Sequence, residues 1–548
     1  MSKFFTSFFL ISVFLILNGG NVKSESLNEP TSGISLKKIF IKTKTEFKIS
    51  EATGEITLQT GVSSFDKKIR VNKVEKVKRV FRLNNGRKDL YEKFEMNRIY
   101  VLYFKEDIND IQFLVSDFSK NENVEYCEPV SSGYAAGVKE IQKLNVQENV
   151  PNDEMFYKQW YLQNNGSVDP TSGGLPKVGA DIKIVYSWDI ETGSDEVVVA
   201  ILDSGIRDDH PDLRDRIWIN SGEIPNNGID DDNNGYTDDV RGWDFAYDDN
   251  RPEDGFGHGT NIATVIGAST NNRIGFAGVD QKCRLMNCKN LNSYNSGEYD
   301  WWSESIKYAV DNGADIINMS EGGDDYSKVL KTAIEYALES GVMVVAAMMN
   351  KGDNRNYYPA GFDGVMAVGA TDTDDKRCRK FSWGGGSCWG KNISVVAPGN
   401  KIYGLDYENT QAYDVFWSGT SQSTAIVSGI ASLLLAQNQN RTSDDLSKII
   451  KFTAKDLVGD PREDKPGWDQ YYGFGRVDSY AALTYELSDK KEQLDLTKEK
   501  DIIKEDDIEK EKIPENYYRD NEKKNEDIDE EKFEKKSNKD HPEPSRPD

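Results

Sequence analysis

Ser421 lies at a point in the sequence where a serine hydroxyl could act on a carbonyl carbon. Residues 422–437 are small or apolar on every side, which predicts a helix buried inside a domain. The first N–H groups of such a helix lack partners and carry the positive end of its dipole, so they can hold an oxygen that becomes negative. A serine here can also simply cap the helix, and this stretch alone leaves both interpretations open.

Asp203 and His258 are the candidates for the acid and base that such a serine would need. Asp203 follows the apolar run 196–202, which suits a strand covered on both faces, and chemistry in α/β sheets gathers at the carboxyl ends of strands. An aspartate in an ordinary turn is the alternative. Of the 3 histidines, His541 lies in a charged tail and His210 precedes a proline, which leaves His258 as the leading imidazole base.

Asn350 comes just after the apolar run 342–347 and would place a side-chain amide at the end of another strand. Such an asparagine is usually structural, but an amide is also a good donor to an oxyanion. The run 314–320, the helical pattern of 328–340 and the run 342–347 form the strand–helix–strand unit of a parallel sheet. We therefore predict an α/β fold with a parallel sheet flanked by helices.

An acidic stretch at 227–239 has the spacing of a calcium-binding loop. Oxygen-bearing side chains fall on alternate positions, and Gly235 stands where a sharp turn is needed. Arg241 occupies the place of the closing glutamate of an EF-hand, so the ligands must be completed in another way. An acidic surface loop is the alternative. The predicted calcium ligands of this loop are Asp230, Asp232, Asn234, Tyr236 and Asp238.

The flanks of the large domain have a different character. Residues 36–130 alternate strand-like and helical patterns and predict a small α+β segment, whereas 131–150 have little periodicity and are expected to be a linker. Residues 1–24 contain an apolar run too short to span a bilayer and have the layout of a secretory signal peptide. Residues 488–548 are dense in charges of both signs and are predicted to be disordered.

The composition limits the function further. A chain of 548 residues should hold more than one domain, and its net charge of −25 argues against binding nucleic acid through a basic surface. No segment after the N-terminus is apolar for long enough to span a membrane, so the mature chain is expected in a secretory lumen, secreted or at the cell surface. Five cysteines leave at least one unpaired, and Cys378 and Cys388 could close a loop as a disulfide.

Asp203, His258, Asn350 and Ser421 follow one another in the chain order of the subtilisins. The chain resembles the subtilisin-like serine proteases (subtilases) at 200–206, 210–213, 257–260, 318–320, 346–350 and 419–421. The resemblance implies peptide-bond hydrolysis in which Ser421 is the nucleophile and His258 the base. It implies that Asp203 orients His258 and that Asn350 binds the oxyanion.

The same resemblance assigns the residues that would bind a protein or peptide substrate. These are Ser320, Glu321, Gly322, Ala347, Met348 and Met349. Met348 and Met349 stand where the family has small residues, and they would narrow the pocket for the residue that precedes the cleaved bond. Glu321 replaces a usual leucine. Other departures are Asn261, Thr264, Gln422, Ser423, Ala425 and Ile426.

The resemblance also divides the chain and adds a second calcium site. It implies a signal peptide at 1–24, an inhibitory propeptide with its linker at 25–150, removed between 130 and 151, a catalytic domain at 151–487 and the tail at 488–548. The acidic loop resembles the form found in malaria-parasite subtilases and in some bacterial secreted ones, and the charged tail suits the former. The second calcium site would use the side chains of Asp153, Asp212 and Asn272 with the carbonyl oxygens of Thr270, Ile274 and Phe276.

Two functions follow from this pattern. The first is a secreted, calcium-stabilised serine endopeptidase that is made as a zymogen. The second is a subtilisin-fold pseudoprotease that works as a secreted or cell-surface binding protein, which the pair Met348 and Met349 keeps open. Self-cleavage near 130–151 distinguishes them, since an inactive protein would keep its propeptide unless another protease removed it.

Overall fold

The computed structural model describes residues 33–47, 55–56, 60–82, 87–108, 110–135, 138–141, 151–167 and 175–486. The predicted signal peptide at 1–24 and the predicted tail at 488–548 lie outside these residues. Within them, no helix combines the length and the apolar character that crossing a bilayer would require.

The N-terminal part of the chain forms a small α+β domain, as its alternating patterns predict. Its elements are β1 (Gly33–Thr43), β2 (Glu55–Ile56), α1 (Ser63–Val71), β3 (Val74–Arg79), α2 (Lys88–Lys93), a 3-10 turn (Met96–Arg98), β4 (Ile99–Phe104), α3 (Ile111–Ser119), β5 (Val124–Ala135) and β6 (Val138–Ile141). Five strands form an antiparallel sheet in the order β5-β1-β4-β3-β2. Phe65 of α1 and Phe118 of α3 pack with Ile39 and Ile41 of β1 to form its core.

The large domain follows from residue 151. Its elements are a 3-10 turn (Phe156–Lys158), α4 (Ile184–Ser187), β7 (Val198–Asp203), β8 (Trp243–Asp244), α5 (His258–Gly267), β9 (Arg284–Lys289), β10 (Ser296–Glu298), α6 (Tyr299–Asp311), β11 (Ile316–Met319), β12 (Glu321–Gly322), α7 (Lys328–Glu339), β13 (Met343–Ala347), β14 (Met366–Thr371), β15 (Val395–Pro398), β16 (Ile402–Tyr403), β17 (Val415–Ser418), α8 (Thr420–Gln437), α9 (Ser443–Thr453) and α10 (Ser479–Leu483).

A seven-stranded parallel sheet organises this domain, with strand order β15-β14-β13-β11-β7-β9-β8. Helices cover both of its faces. Val199 and Ile201 of β7 pack into the core with α5 and α8, whereas the alternate residues Ala200 and Leu202 pack into the core with α6 and α7. Burial on both faces explains why β7 is a continuous apolar run, and the predicted fold class is confirmed.

The carboxyl edge of the sheet collects the predicted site residues. β7 ends at Asp203, β11 ends just before Ser320, and β13 ends three residues before Asn350. Because the strands are parallel, these ends lie on one side of the sheet, where chemistry is expected. The first turn of α8 brings Ser421 to the same edge, since Ser421 contacts Ser320.

The N-terminal domain packs against α6 and α7 of the large domain. Lys38 pairs with Glu298 at 2.7 Å and with Asp300 at 3.0 Å, and all three side chains are largely buried. Glu128 lies at the N-terminus of α7, where its carboxylate accepts a hydrogen bond from the Lys328 N–H at 3.1 Å. A carboxylate at this end of a helix is favoured by the helix dipole. The contact between the two domains therefore combines apolar packing with largely buried ion pairs.

The expectation that 131–150 is only a linker is wrong for much of that segment. Residues 131–135 complete β5, and 138–141 form β6. Both pair with strands of the large domain rather than with neighbours in sequence. Local periodicity does not reveal such long-range pairing.

The proposed disulfide between Cys378 and Cys388 is not formed, and all five cysteines are free. Cys378 packs with Ala370 and Phe381 in a small apolar cluster, whereas Cys388 belongs to the main core. The Cys388 sulfur accepts a hydrogen bond from the Lys351 N–H at 3.2 Å. The two thiols therefore occupy different environments.

Candidate active site

Asp203 and His258 form a buried hydrogen-bonded pair. Asp203 is the last residue of β7, and His258 is the first residue of α5. Nδ1 of His258 lies 2.8 Å from one carboxylate oxygen of Asp203 and 2.9 Å from the other, and neither side chain is exposed. The other ring nitrogen, Nε2, is buried and has no hydrogen-bond partner in the described part of the chain. Because Nδ1 faces the carboxylate, Nε2 is the nitrogen that can exchange a proton.

Asp254, which the sequence analysis missed, holds this pair in place. Its carboxylate accepts hydrogen bonds from the Thr260 N–H at 3.0 Å and from the Ser204 hydroxyl at 2.8 Å. Ser204 follows Asp203 directly, and Thr260 lies in the first turn of α5. One carboxylate thus ties the strand that carries Asp203 to the helix that carries His258. The sequence offers one signal for it, an acid four residues before His258.

Ser421 lies in the first turn of α8 and is fully buried. Its hydroxyl donates a hydrogen bond to the carbonyl oxygen of Ser320 at 2.9 Å, so it does not cap the helix. The hydroxyl of Ser320 donates in return to the carbonyl oxygen of Ser421 at 3.0 Å. These reciprocal bonds fix the start of α8 against the segment between β11 and β12.

Asn350 contacts the same turn of α8. Its side-chain oxygen Oδ1 accepts a hydrogen bond from the Thr420 N–H at 2.9 Å, and the residue is buried. Since Oδ1 is engaged by the helix, the amide NH₂ is the end of this side chain that can donate to another group. The structure thus brings Asn350 beside Ser421, as the sequence predicts for an oxyanion donor.

Strands β10, β12 and β17 of the large domain line a cleft beside Ser421. They pair with β5 and β6 of the N-terminal part of the same chain. β5 lies between β10 and β12, with Ala135 opposite Glu321. β6 then pairs with β17, with Val138 opposite Ser418. Because Glu321 follows Ser320 and Ser418 precedes α8, both pairings involve residues that adjoin the candidate site in sequence.

Glu321 is a fully buried carboxyl beside this cleft. One oxygen accepts a hydrogen bond from the side-chain amide of Asn290 at 2.8 Å, and the other is buried without a partner in the described residues. Burial, with a smaller contribution from the negative charge of Asp203, raises the pKa of Glu321 well above its usual range. The carboxyl therefore favours its neutral form, which limits the negative charge near His258.

Comparison with known proteins identifies the family. The sequence profile of the Subtilase family matches residues 194–475, just over half of the chain. This chain belongs to the subtilase family. A thermophilic serine proteinase from Bacillus sp. (strain AK1) is 30% identical to it over 378 residues, which cover 69% of this chain and 77% of that relative. Thermitase from Thermoactinomyces vulgaris is 34% identical over 304 residues, which cover 56% of this chain and 94% of thermitase.

A solved structure agrees with the fold of this subtilase. Fervidolysin from Fervidobacterium pennivorans, described as a keratinolytic enzyme related to subtilisin, superposes with a TM-score of 0.57 at 20% identity. The match covers 83% of this chain and 62% of fervidolysin. At this identity the likeness concerns the fold. The family itself establishes that the protein is a serine endopeptidase, which acts on peptides or proteins.

Met348 and Met349 separate β13 from Asn350 in this subtilase, and both are buried. Met349 has a φ of +74°, a left-handed conformation that costs a non-glycine residue energy. Its sulfur lies 2.8 Å from the point where a Cβ on Gly322 would stand. Met349 therefore fills the space against β12, one of the two strands that flank β5.

The acidic loop of the subtilase contains a cluster that could hold a metal ion. Glu223, Asp230 and Asp232 each bring one carboxylate oxygen to within 4.8 Å of the others. Glu223 was missed by the sequence analysis because it precedes the loop. Glu223 is thus a carboxylate that could take the place of the missing closing acid. An all-oxygen cluster of this kind fits a hard cation such as Ca²⁺.

The other predicted ligands of this loop have different contacts. Asn234 donates from its side-chain amide to Asp232 at 3.2 Å. The carboxylate of Asp238 accepts hydrogen bonds from the backbone N–H groups of residues 227 and 228 at 3.0 and 2.9 Å. The side chain of Tyr236 is buried and its hydroxyl donates to Glu304 at 3.1 Å, which leaves only its backbone carbonyl for a metal.

The second predicted calcium site also comes together around two buried carboxylates. Asp212 accepts hydrogen bonds from the side-chain amide of Asn272 at 2.7 Å and from the Phe276 N–H at 3.0 Å. Asp153 accepts from the Asn271 N–H at 2.8 Å, and the same loop, 270–276, carries Thr270 and Ile274. Burial, with a further contribution from the charge of Asp153, raises the pKa of Asp212 to about 7. A cation would relieve this repulsion, so the residues fit one.

Proposed function

We propose that this subtilase hydrolyses peptide bonds through Ser421, His258 and Asp203. Ser421 Oγ attacks the peptide carbonyl while His258 Nε2 takes its proton and later gives that proton to the leaving amine. Asp203 holds the imidazole by Nδ1 and stabilises its cationic form. The buried Asp203–His258 pair carries this proposal, with its 2.8 Å hydrogen bond and with an Nε2 that has no partner among the described residues.

Asn350 and the backbone N–H of Ser421 bind the oxyanion in this mechanism. The hydrogen bond from the Thr420 N–H to Asn350 Oδ1 supports the role, because it orients the amide before the substrate reacts. A donor that is already oriented needs no reorganisation as charge develops on the substrate oxygen. Glu321 and Gly322 bind the substrate backbone as an added strand, which their pairing with β5 supports.

The N-terminal domain is proposed to be the inhibitory propeptide of a zymogen. Its strand β5 occupies one side of the cleft and β6 the other, so its own chain excludes substrates from Ser421. The bond to be cut lies between Ala135 and Val138, centred on Ala136–Gly137. This position falls within the 130–151 range expected from the sequence. Within the expected domain limits, 25–150 then holds the propeptide and the linker, and residues 137–150 stay attached to the catalytic domain 151–487 after the cut.

Calcium is proposed to stabilise the fold at two places. Glu223, Asp230 and Asp232, with Asn234, Tyr236 and Asp238 nearby, would hold one ion. Asp153, Asp212, Asn272 and the carbonyl oxygens of Thr270, Ile274 and Phe276 would hold the other. A bound cation supplies charge that offsets the repulsion between these carboxylates, and it takes no part in the chemical steps.

Secretion is proposed from the N-terminal sequence. The layout of 1–24 as a signal peptide supports a protein that is secreted or at the cell surface, without a transmembrane span in the mature chain. The likeness of the acidic loop to that of malaria-parasite subtilases remains a prediction from the sequence.

The N-terminus of the mature protein tests the proposal. Wild type and Ser421→Ala are expressed as full chains with calcium, and their N-termini are sequenced. We expect wild type to begin at residue 137 or close to it and Ser421→Ala to keep its propeptide. Ser447→Ala, at a partly exposed serine of α9, serves as the control and should be processed like wild type. Equal processing of wild type and Ser421→Ala would instead show that another enzyme makes the cut.

A further inference from the structure

We propose that the substrate cleft of this subtilase selects glycine at the position of Gly133 and a small residue, glycine or alanine, immediately before the cleaved bond. Trp302 and Met349 fill the spaces that larger side chains would need at these two positions. This inference rests on the proposed function, because it concerns the substrate of the same site. The chain's own segment 133–137 has the expected form: Gly133 is followed three residues later by Ala136.

Gly133 lies in β5 with its backbone against β10 and β12. A Cβ built on Gly133 would stand 2.4 Å from the outer edge of the Trp302 ring and 2.3 Å from the carbonyl oxygen of Gly322. Contacts below 3.0 Å are essentially never seen for a real Cβ. Any side chain at this position must therefore displace either a buried ring or the backbone of the strand that binds the substrate.

Trp302 cannot easily move to make that room. It is fully buried in α6, and its ring packs on Tyr299 with the ring centres 4.9 Å apart. On the far side, its Nε1 lies 2.3 Å from the point where a Cβ on Gly297 would stand. Glycines at Gly133 and Gly297 thus flank the indole on two adjacent strands. The tryptophan blocks a space that a substrate side chain would otherwise enter.

Met349 limits the second position. It is fully buried, and its sulfur lies against Gly322 of β12. Asn350, which follows it directly, contacts the start of α8 beside Ser421. The side chain of Met349 therefore packs on the substrate-binding strand β12, and Met349 is the direct neighbour in sequence of the predicted oxyanion donor. A substrate residue attacked by Ser421 must fit in the space that this side chain leaves.

The residues expected before the cleaved bond follow from the pairing register of β5 with β12 and of β6 with β17. Ala135 pairs with Glu321 and Val138 pairs with Ser418, so the attacked carbonyl belongs to Ala136 when the cut is centred between them. Substrates should then be glycine- and alanine-rich extended segments with the order Gly-x-x-Ala or Gly-x-x-Gly before the cleaved bond. Aromatic or branched residues at either position should be excluded by overpacking.

The first test measures how the cleft binds its own strand and needs no catalysis. Gly133→Leu is introduced into full-length Ser421→Ala protein, and hydrogen exchange of the β5 amides is followed. We expect exchange about 10- to 100-fold faster than in Ser421→Ala alone, because overpacking releases the strand. Ser132→Leu, the same change at the neighbouring residue, whose Cα–Cβ bond points to the other face of the strand, serves as the control and should change exchange far less.

A compensating change then identifies the group responsible. Trp302→Ala combined with Gly133→Leu should restore part of the protection of β5, since the leucine can occupy the space of the indole while the contact with the Gly322 carbonyl oxygen remains. Should Trp302→Ala prevent folding, the series Gly133→Ala and Gly133→Leu still tests the inference without altering the large domain. Equal protection of β5 in this series and in its parent would overturn the inference.

The second test measures cleavage by the self-processed enzyme. Peptides with the sequence of 131–141 are compared with versions that carry Leu in place of Gly133 or Phe in place of Ala136. We expect kcat/KM to fall about 10- to 100-fold for each change, and Met349→Gly to restore cleavage of the Phe peptide. Equal cleavage of all three peptides would overturn the inference. The two tests can also disagree. If Gly133→Leu loses the protection of β5 but the enzyme cleaves none of the peptides, the result would support the selectivity of the cleft and contradict the proposed peptidase function.

Discussion

The hydroxyl of Ser421 donates a hydrogen bond to the carbonyl oxygen of Ser320, 2.9 Å away, and not to His258. At the same time, Nε2 of His258 is buried without a partner in the described residues. For the proposed mechanism to operate, the Ser421 hydroxyl must exchange its hydrogen bond with Ser320 for one with His258 Nε2.

Asp203→Asn tests whether the buried pair works as proposed. The amide cannot stabilise an imidazolium and favours the wrong tautomer of His258, so we expect kcat to fall about 10⁴-fold with little change in folding. The half-time of self-cleavage, followed on gels, measures this loss. Asp209→Asn is the control, because Asp209 is an exposed carboxylate near the same strand end and pairs with Arg207. Equal rates for both variants would contradict the assigned role of Asp203.

Asn350→Ala tests the oxyanion donor. Loss of one such donor typically lowers kcat by about 10²- to 10³-fold while KM changes little, since the interaction forms mainly in the transition state. The measurement is steady-state cleavage of the peptide 131–141. Asn356→Ala, at an exposed asparagine whose side chain contacts Asn392, is the matched control. A variant with raised KM and unchanged kcat would instead assign Asn350 to ground-state binding.

The positions of Asp203, His258 and Ser421 could be predicted because each lies where an apolar run begins or ends. The run before Asp203 is apolar on both faces, which predicts a central strand that ends at the carboxyl edge of the sheet, and the apolar run after Ser421 predicts a buried helix. These are local patterns, and a single sequence contains them. The small N-terminal α+β domain followed from alternating patterns of the same kind.

Other features depend on contacts between distant residues, which periodicity cannot indicate. Glu223 joins Asp230 and Asp232 only because the chain turns back on itself before the acidic loop. The pairing of β5 with β12 joins residues that lie almost 190 positions apart. For the same reason, nothing in the sequence suggested that Trp302 faces Gly133.

Replacement of Met349 should reveal two opposing contributions to stability. Removing its buried side chain costs about 2–5 kcal/mol, whereas relief of the left-handed backbone at φ +74° returns about 1–2 kcal/mol. Met349→Gly should therefore lower the free energy of unfolding by about 0–4 kcal/mol, measured by urea unfolding in the Ser421→Ala background. Met349→Ala loses the packing but keeps the strain, so it should be the less stable variant. The reverse order would show that the backbone at this position is not strained.

Calcium should raise the thermal stability of the protein, and part of that gain should depend on Glu223. A cation at one hundred times its dissociation constant contributes about 2.7 kcal/mol per site. We expect Glu223→Gln to lose much of the increase in Tm between EDTA and calcium, measured by calorimetry in the Ser421→Ala background. Glu253→Gln, outside the cluster, should retain it. The gain that survives in Glu223→Gln would come from the site at Asp153 and Asp212.

Glu321→Gln should change how stability depends on pH. Burial and the charge of Asp203 raise the pKa of Glu321 in the folded state, so the folded protein keeps a proton that the unfolded chain releases. Below the unfolded pKa of about 4.5 both states are protonated, and the carboxyl contributes its full stability. As the pH rises toward the folded pKa, this contribution is lost. Glutamine does not titrate and keeps an oxygen for Asn290, so the variant should gain stability relative to its parent as the pH rises.

Urea unfolding of the two proteins from pH 4 to pH 8, in the Ser421→Ala background, measures this difference. Other buried carboxyls also titrate in that range, such as Asp280 with a pKa raised to about 6 by burial, but they are common to both proteins and cancel. Asn356→Ala, at an exposed side chain that does not titrate, should differ from its parent by the same amount at every pH. A constant difference between Glu321→Gln and its parent across this range would mean that Glu321 has the same pKa in the folded and unfolded states, and that the cleft holds an ionised carboxylate beside Asp203.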